Sequence, residues 1–150
     1  MILNRLSINT TDPRVFDLLN EMRKNRILYS IWKTGSEPVD VLHRTDTITV
    51  YCTDETNIRQ VVYNLNRAVG RGDITVRDGT SRFTEQIAPG CSLQFEPGKY
   101  TEKKYPFSLI DKDGDPMSYG MYVSECLVRG ILPTPFPSEL GVKNPFIKHY

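Results

Sequence analysis

The chain has 150 residues, of which 39% are hydrophobic and 25% charged, a composition typical of a folded globular domain rather than a disordered chain. The net charge is +1, and basic and acidic residues are nearly balanced in both halves, so bulk charge favours neither nucleic acid nor a membrane surface as a partner. The three cysteines are widely separated, which argues against a disulfide framework, and the lack of a long apolar run argues against a signal peptide and a membrane span. We therefore expect a single cytoplasmic domain over residues 1–150.

The first predicted elements are a strand and a helix. Residues 3–10 predict a strand, because apolar Leu6 and Ile8 alternate with polar neighbours. Asp12 can accept a backbone hydrogen bond at the start of the helix, and Pro13 suits the first helical position. Apolar side chains then recur at helical spacing and predict one buried stripe: Val15, Phe16, Leu18, Leu19 and Met22.

Two further strands are predicted before the second helix. Residues 27–33 are rich in β-branched and aromatic side chains, which strands favour, and residues 39–43 are expected to extend a strand edge. Residues 46–52 alternate clearly and predict a half-buried strand. Its expected core face carries Ile48, Val50 and Cys52, and its other face Thr47, Thr49 and Tyr51.

The second helix has the clearest sequence pattern. Thr53 or Asp54 can cap its start, and Gly70 with Gly72 can end it, because glycine adopts the left-handed conformation without strain. Its predicted stripe consists of Ile58, Val61, Val62, Leu65 and Ala68. Residues 73–77 read as one more short strand, followed by a turn at Asp78-Gly79.

The element order through residue 79 is therefore β-α-β-β-α-β. This order is typical of a ferredoxin-like sandwich, in which both helices cover the same side of a four-stranded antiparallel sheet. The predicted fold class is thus α+β, with a ferredoxin-like core at residues 1–79 and a C-terminal β-hairpin and helix extension at residues 80–150 packed on it.

Within the extension, residues 80–88 are expected to be irregular, residues 91–95 to form a strand, and Asp113-Gly114 to form the tip of a hairpin. Ser118 can cap a helix over residues 118–129 that ends at Gly130. Its expected inward side chains are Tyr119, Tyr122, Val123, Cys126 and Leu127.

The proline-rich segment 133–137 is interpreted as an extended strap over the core rather than as a docking strip for a partner. The last residues, with Phe146, Ile147 and Tyr150, are expected to pack back on the core.

No motif for catalysis, a metal or a cofactor is found. Asp111, Asp113 and Asp115 surround a glycine, but the glycine is fourth from Asp111 rather than sixth, and no glutamate stands at the twelfth position, so a calcium loop is not expected. His43 has no local partner for acid–base work. Cys91 is placed at a strand start, which would not lower the pKa of its thiol, so we interpret it as a buried structural cysteine, like Cys52.

Two weak binding signals remain. A nucleic-acid-binding sheet face could combine stacking aromatic and phosphate-binding basic side chains, as in many single-strand binders. The candidates are Tyr29, Trp32, Lys33, Arg44, Tyr51 and Arg77. Separately, Arg71 between Gly70 and Gly72 could bind an anion, although this stretch is also a simple helix end. The alternative for the sheet face is that residues 80–150 cover it.

The sequence leaves three functional classes open. The preferred hypothesis is a small non-enzymatic binding or regulatory protein that grips a protein partner or a small ligand, with homodimer formation through sheet edges as an option. The first alternative is a protein that binds single-stranded nucleic acid through the aromatic and basic residues above. The second is a small enzyme with a dispersed carboxylate and histidine site.

Overall fold

The computed structural model describes residues 4–25, 31–34 and 44–147, and for residues 31–34 it describes only the backbone. Strands and helices are mixed along the chain, so the α+β class is confirmed. The elements are β1 (Asn4–Ile8), α1 (Arg14–Lys24), β2 (Ile31–Thr34), β3 (Ile48–Cys52), α2 (Glu55–Gly70), β4 (Glu85–Ala88), β5 (Cys91–Phe95) and α3 (Tyr119–Val128), with short 3-10 helices at Pro97–Tyr100 and Ser138–Leu140.

The strands form one antiparallel sheet in the order β2-β3-β1-β5-β4. Leu6 in the central strand lies opposite Val50 on one side and Leu93 on the other. All three side chains are fully buried. Because side chains opposite one another in a sheet project to the same face, this row defines the apolar face on which the main core is built.

Both long helices contribute to that core as their periodicity predicts. In α2, the five predicted stripe residues are all buried, and Asp54 is the cap, its carboxylate accepting the Asn57 N–H at 2.8 Å. In α1, Val15, Leu19 and Met22 are buried. The stripes of both helices belong to the same cluster as Leu6 and its neighbours in the sheet. Burial of these side chains is the main force that holds the helices on the sheet.

The start of α1 differs slightly from the prediction. The helix begins at Arg14, so Pro13 precedes the first helical residue. Asp12 does accept the backbone N–H of Arg14, at 3.0 Å, as expected. Asp12 also binds Thr75, whose N–H lies 2.7 Å from Oδ2, so this carboxylate ties the helix start to a distant segment.

The predicted strand at residues 73–77 is wrong. Its backbone groups bond to side chains and turns instead of a strand ladder. The Thr75 N–H donates to the Asp12 carboxylate, the Thr75 carbonyl accepts from the Thr10 hydroxyl, and the Asp73 N–H closes the end of α2 on the Ala68 carbonyl at 2.9 Å. Only Arg77 bonds to the backbone near β1, through its N–H to the Asn9 carbonyl at 2.7 Å.

The second correction concerns the connection at residues 80–88 and the division of the chain. Residues 85–88 are not irregular but form β4, an edge strand paired with β5. β5, and not a strand at residues 73–77, pairs with β1 on the side away from β3. The predicted extension at residues 80–150 therefore supplies two strands of the main sheet instead of packing on a sheet completed by residue 79.

A second hydrophobic cluster joins the end of β5 to α3. Phe95 packs edge-on against Tyr122, with ring centroids 4.9 Å apart, and against Tyr119 at 5.8 Å. Phe136 packs against both clusters, and the Pro135 carbonyl accepts the Phe95 N–H at 3.0 Å, so the strap interpretation of residues 133–137 is confirmed.

α3 follows the predicted bounds closely. Ser118 caps it by accepting the Met121 N–H, and Gly130 follows its end with a positive φ of 70°. The expected inward placement of Leu127 is wrong, because this side chain is 55% exposed. Leu127 flanks the buried Cys126 and falls outside the stripe that packs against Phe95.

The hairpin tip at Asp113-Gly114 is confirmed. An isolated bridge joins Ile110 to Pro116, and the Asp111 N–H bonds to the Asp115 carbonyl at 2.8 Å. Near the C-terminus, Phe146 packs against the main core, but Ile147 is 55% exposed, contrary to the prediction for it. Residues 27–30, the edge at 39–43 and Tyr150 lie outside the described residues.

Candidate functional site

The face of the sheet opposite the main core is polar. Residues that alternate with the core positions share this face by register: Arg5, Ser7, Thr49, Tyr51, Ser92 and Gln94. Four of them are buried, namely Ser7, Thr49, Ser92 and Gln94. We call this set the polar face. Buried polar groups normally have hydrogen-bond partners, because losing water without one is costly.

Two side chains of the polar face lack such partners. Gln94 is only 6% exposed, and its Oε1 accepts no hydrogen bond. Ser92 is 1% exposed, and its Oγ is likewise unbonded. Each such atom costs on the order of 1–3 kcal/mol unless a ligand or a solvent molecule satisfies it. An unsatisfied group in a native fold is therefore expected to be completed by a solvent molecule, an ion or a ligand.

Gln94 lines a cleft of about 620 Å³, within the range of small-molecule sites. The cleft lies where the polar face meets the loop before β4 and the first turn of α3. We call it the sheet-face cleft. Its lining is formed by Arg5, Ser7, Arg44, Asp46, Ser81, Arg82, Phe83, Thr84, Gln94, Ser118, Tyr119, Gly120, Val123 and Leu127.

Three arginines and one aspartate give the lining an excess of positive charge. Arg5 forms a two-pronged ion pair with Glu96, at 2.6 and 3.1 Å, and Arg44 forms another with Asp46, at 2.8 Å for both contacts. Arg82 is exposed, and no ion pair joins it to a carboxylate in the described part of the chain. Arg82 is thus the cation best placed to accept a negatively charged ligand group.

A strained residue forms one wall of the cleft. Phe83 has a positive φ of 61°, the only such value for a non-glycine residue among those described. Its carbonyl accepts a hydrogen bond from the Tyr119 hydroxyl, which links the loop to α3. Burial raises the pKa of Tyr119, so this hydroxyl stays protonated and keeps donating. Strained backbone is found preferentially at functional sites, which agrees with the position of Phe83.

The N-terminus of α3 also lines the cleft. The first N–H groups of a helix have no partner within the helix and carry partial positive charge. The Ser118 hydroxyl accepts only the Met121 N–H, and the first turn contains no acidic side chain. At Gly120, an added Cβ would meet no atom within 4 Å, so packing does not explain the glycine, which leaves this wall open.

A second cleft of about 560 Å³ adjoins the other side of the same turn and shares Ser118 and Gly120 with the first. Three of its four charged groups, all but Lys112, already have partners among the described residues. Arg129 pairs with Glu125 at 3.1 Å, and Asp111 Oδ1 accepts two backbone N–H groups at 2.9 Å. It is therefore the weaker candidate.

The residues predicted for nucleic-acid binding are only partly brought together. Tyr29 lies outside the described residues. Trp32 and Lys33 belong to β2, but the structure describes only their backbone. Arg44 lines the sheet-face cleft, and Arg77 donates to its carbonyl at 2.9 Å.

Tyr51 lies on the polar face as predicted and is half-buried, with the Arg5 guanidinium 5.1 Å above its ring. The alternative, that the second half of the chain covers this face, holds only in part, because α3 and the loop before β4 border it and leave the cleft open.

Arg71 lies at the C-terminal end of α2, where the three N–H groups of residues 71–73 donate to carbonyls of the last helical turn. The helix-end interpretation of this stretch is confirmed. Anion binding by Arg71 stays a prediction.

The cysteines are placed as expected. Cys91 is the first residue of β5 and 2% exposed, and burial raises the pKa of its thiol to about 11. Cys52 is buried in the main core. His43 lies outside the described residues, and among those described no three His, Cys, Asp or Glu side chains are grouped as a metal site would need.

Sequence reasoning missed the most informative residues, Gln94 and Arg82. The alternation in residues 91–95 does place Ser92 and Gln94 on one face of a strand, so the sequence predicts that the two side chains share a face. The sequence does not predict that both are buried without hydrogen-bond partners, because their burial depends on α3 and on the loop before β4.

No protein-family model matches the chain, and no curated protein is significantly similar to it. Within the described residues, no helix combines the length and apolar character needed to cross a membrane.

Proposed function

We propose that this protein is a non-enzymatic binding protein whose ligand is a small molecule held in the sheet-face cleft. The observation that carries the proposal is Gln94, a buried side chain in the wall of the cleft with an oxygen that no protein group satisfies. A ligand that donates a hydrogen bond there would remove the cost of the unpaired oxygen, and such specific polar groups determine how a small ligand is oriented.

The lining supports binding more than catalysis. It offers hydroxyls, guanidinium groups and backbone N–H groups, but no histidine or cysteine among the described lining residues. Its one carboxylate, Asp46, is held by both prongs of Arg44. A general base or nucleophile needs an available group within hydrogen-bond reach of the substrate, and this lining favours recognition instead.

We also propose that the fold is a variant of the ferredoxin-like sandwich. In support, β1 lies between β3 and β5, α1 follows β1, α2 follows β3, and both helices share one core cluster with the sheet. β5 would then take the place of the fourth strand, and β4 would be an added edge. A binding site on the side opposite the helices is compatible with this arrangement.

A thermal-shift screen tests the binding proposal. We expect at least one compound from a library of neutral, cationic and anionic metabolites to raise the melting temperature, because a ligand that binds only the folded state stabilises it. The same compound should lose its effect on Gly120→Leu, whose side chain would occupy open space at the cleft wall.

Gly70→Leu is the matched control, since Gly70 also has no atom within 4 Å of an added Cβ but lies at the end of α2. Equal shifts for wild type and both variants would place binding elsewhere. The absence of any stabilising compound would argue against the proposal.

Single-stranded nucleic acid is the second candidate, favoured by the stacking of Arg5 over Tyr51 beside the cleft. A fluorescence titration with labelled oligonucleotides at low and high salt tests it. Salt-sensitive binding that Tyr51→Leu weakens would support this function, and no binding at low salt would remove it. Docking of a protein partner, homodimer formation through the edge strands β2 and β4, and a cytoplasmic location also stay predictions.

A further inference from the structure

We infer that the ligand of the sheet-face cleft is a phosphate monoester whose organic part carries a hydroxyl or amino hydrogen-bond donor. This inference rests on the proposed function and names the chemical class that the site would take. Two parts of the cleft carry it: a positively polarised end formed by Arg82 and the first turn of α3, and the unsatisfied acceptor of Gln94.

The polarised end has more donors than a carboxylate needs. Arg82 offers a guanidinium that pairs with no described carboxylate, and a guanidinium holds five N–H donors in a planar fork. Tyr119 and Gly120 line the same cleft and belong to the first helical turn, whose N–H groups have no helical partner. A phosphate group presents three terminal oxygens and up to two negative charges, so it matches this set better than a carboxylate.

The remaining cations support the same assignment. Arg5 and Arg44 line the cleft, but each already holds a carboxylate in a two-pronged pair. They contribute positive potential without being available as primary phosphate ligands, and Arg82 is left as the direct contact.

Gln94 supplies the second, independent observation. Its Oε1 is an acceptor, buried and unbonded, so the group that completes it must donate a hydrogen bond. The dianionic phosphate of a monoester has no proton to donate, so in such a ligand the donor must lie in the organic part. The cleft, at about 620 Å³, is also much larger than an inorganic anion needs. The ligand must therefore carry an organic part with a donor.

Sugar phosphates and nucleoside monophosphates share this chemistry, and a calorimetric titration of the full-length protein separates them. The probes are ribose 5-phosphate, AMP, inorganic phosphate and the uncharged counterparts ribose and adenosine. We expect one of the two esters to bind at least tenfold more tightly than its uncharged counterpart and than inorganic phosphate. Tighter binding of AMP would indicate that the base is also recognised, and tighter binding of ribose 5-phosphate that the sugar suffices.

Two variants assign the contacts. Arg82→Gln should lower the affinity for the ester roughly tenfold or more, because a charge-assisted hydrogen bond is lost. Arg82→Lys keeps the positive charge and should retain part of the affinity. Gln94→Met should lower the affinity for the ester but leave the weak binding of inorganic phosphate unchanged, since the expected hydrogen bond to Gln94 comes from the organic part of the ester.

The outcomes distinguish this inference from the proposed function. If ribose or adenosine binds in a manner that Gly120→Leu abolishes while neither ester binds more tightly, the phosphate inference is overturned and the cleft remains a binding site. Ester binding that is indifferent to both Arg82→Gln and Gln94→Met would also overturn the inference. If no probe binds here and no library compound stabilises the protein in the thermal-shift screen, both proposals fail.

Discussion

Replacing Gln94 with methionine should make the unliganded protein more stable. The side chain is 6% exposed and its Oε1 has no partner, so the folded state bears the cost of an unsatisfied polar group, about 1–3 kcal/mol in typical proteins. Methionine has an unbranched side chain of similar length, and it removes the oxygen without opening a large cavity.

The expected gain lies near the lower end of that range, about 1 kcal/mol, because the adjoining cleft keeps part of the Gln94 side chain near solvent. For a chain of this size, such a gain corresponds to a rise of about 2–4 °C in melting temperature. Circular dichroism measured during thermal and urea unfolding gives both quantities.

Ser92→Ala is the matched control. Ser92 also has an unbonded buried oxygen on the polar face, but it does not line the cleft. Both variants should gain stability, and only Gln94→Met should lose ligand binding. A melting temperature for Gln94→Met at or below the wild-type value would refute the reasoning, because Gln94 would then be satisfied within the protein.

Three further predictions concern stability and reactivity. Gly90→Ala should destabilise the fold by at least about 2 kcal/mol in urea unfolding, because Gly90 has a φ of +68° and an added Cβ would lie 2.5 Å from the Arg77 carbonyl oxygen. A smaller loss would show that the turn at Gly90 and the segment that carries Arg77 can move apart. Hydrogen bonds from the Arg14 side chain, together with backbone hydrogen bonds from Arg14 and Thr75, hold the pKa of Asp12 well below its usual range. The ionised Asp12 carboxylate therefore stabilises the fold above the unfolded pKa of about 3.9, and this stabilisation is lost as the pH falls towards the folded pKa. Asp12→Asn should therefore flatten the acid side of the stability curve between about pH 5 and 2, and an unchanged slope would contradict this assignment. All three cysteines are buried, and burial raises the pKa of Cys91 to about 11. A thiol reagent at pH 8 should therefore react only after denaturant is added, and rapid labelling of the native protein would show that a cysteine is accessible.

The parts of the fold that the sequence predicted correctly are those set by local pattern. The stripe of α2, its Asp54 cap and the Ser118 cap of α3 each depend on residues within a few positions of one another. The strand at residues 73–77 failed for the opposite reason. Its composition favours a strand, but Asp12, more than sixty residues away, takes the Thr75 N–H that a ladder would need.

The sheet and the cleft were hard to predict for a related physical reason. Which strand pairs with β1 is decided by long-range contacts, and β5 takes that place because Leu93 and Cys91 complete the apolar row opposite Leu6 and Ile8. The cleft joins Arg5, Arg82, Gln94 and Gly120, which have no common motif in the sequence. Each of these residues is ordinary in isolation, and only the fold gives them a shared role.

A nitrogen–proton correlation spectrum of the full-length protein, recorded while ribose 5-phosphate or AMP is added, tests the central claim most directly. We predict that the side-chain amide of Gln94 and the backbone amide of Gly120 shift together and saturate at one ligand concentration, while the amide of Gly70 stays in place. Shifts confined to other parts of the molecule, or an unchanged Gln94 signal at saturating ligand, would contradict the account.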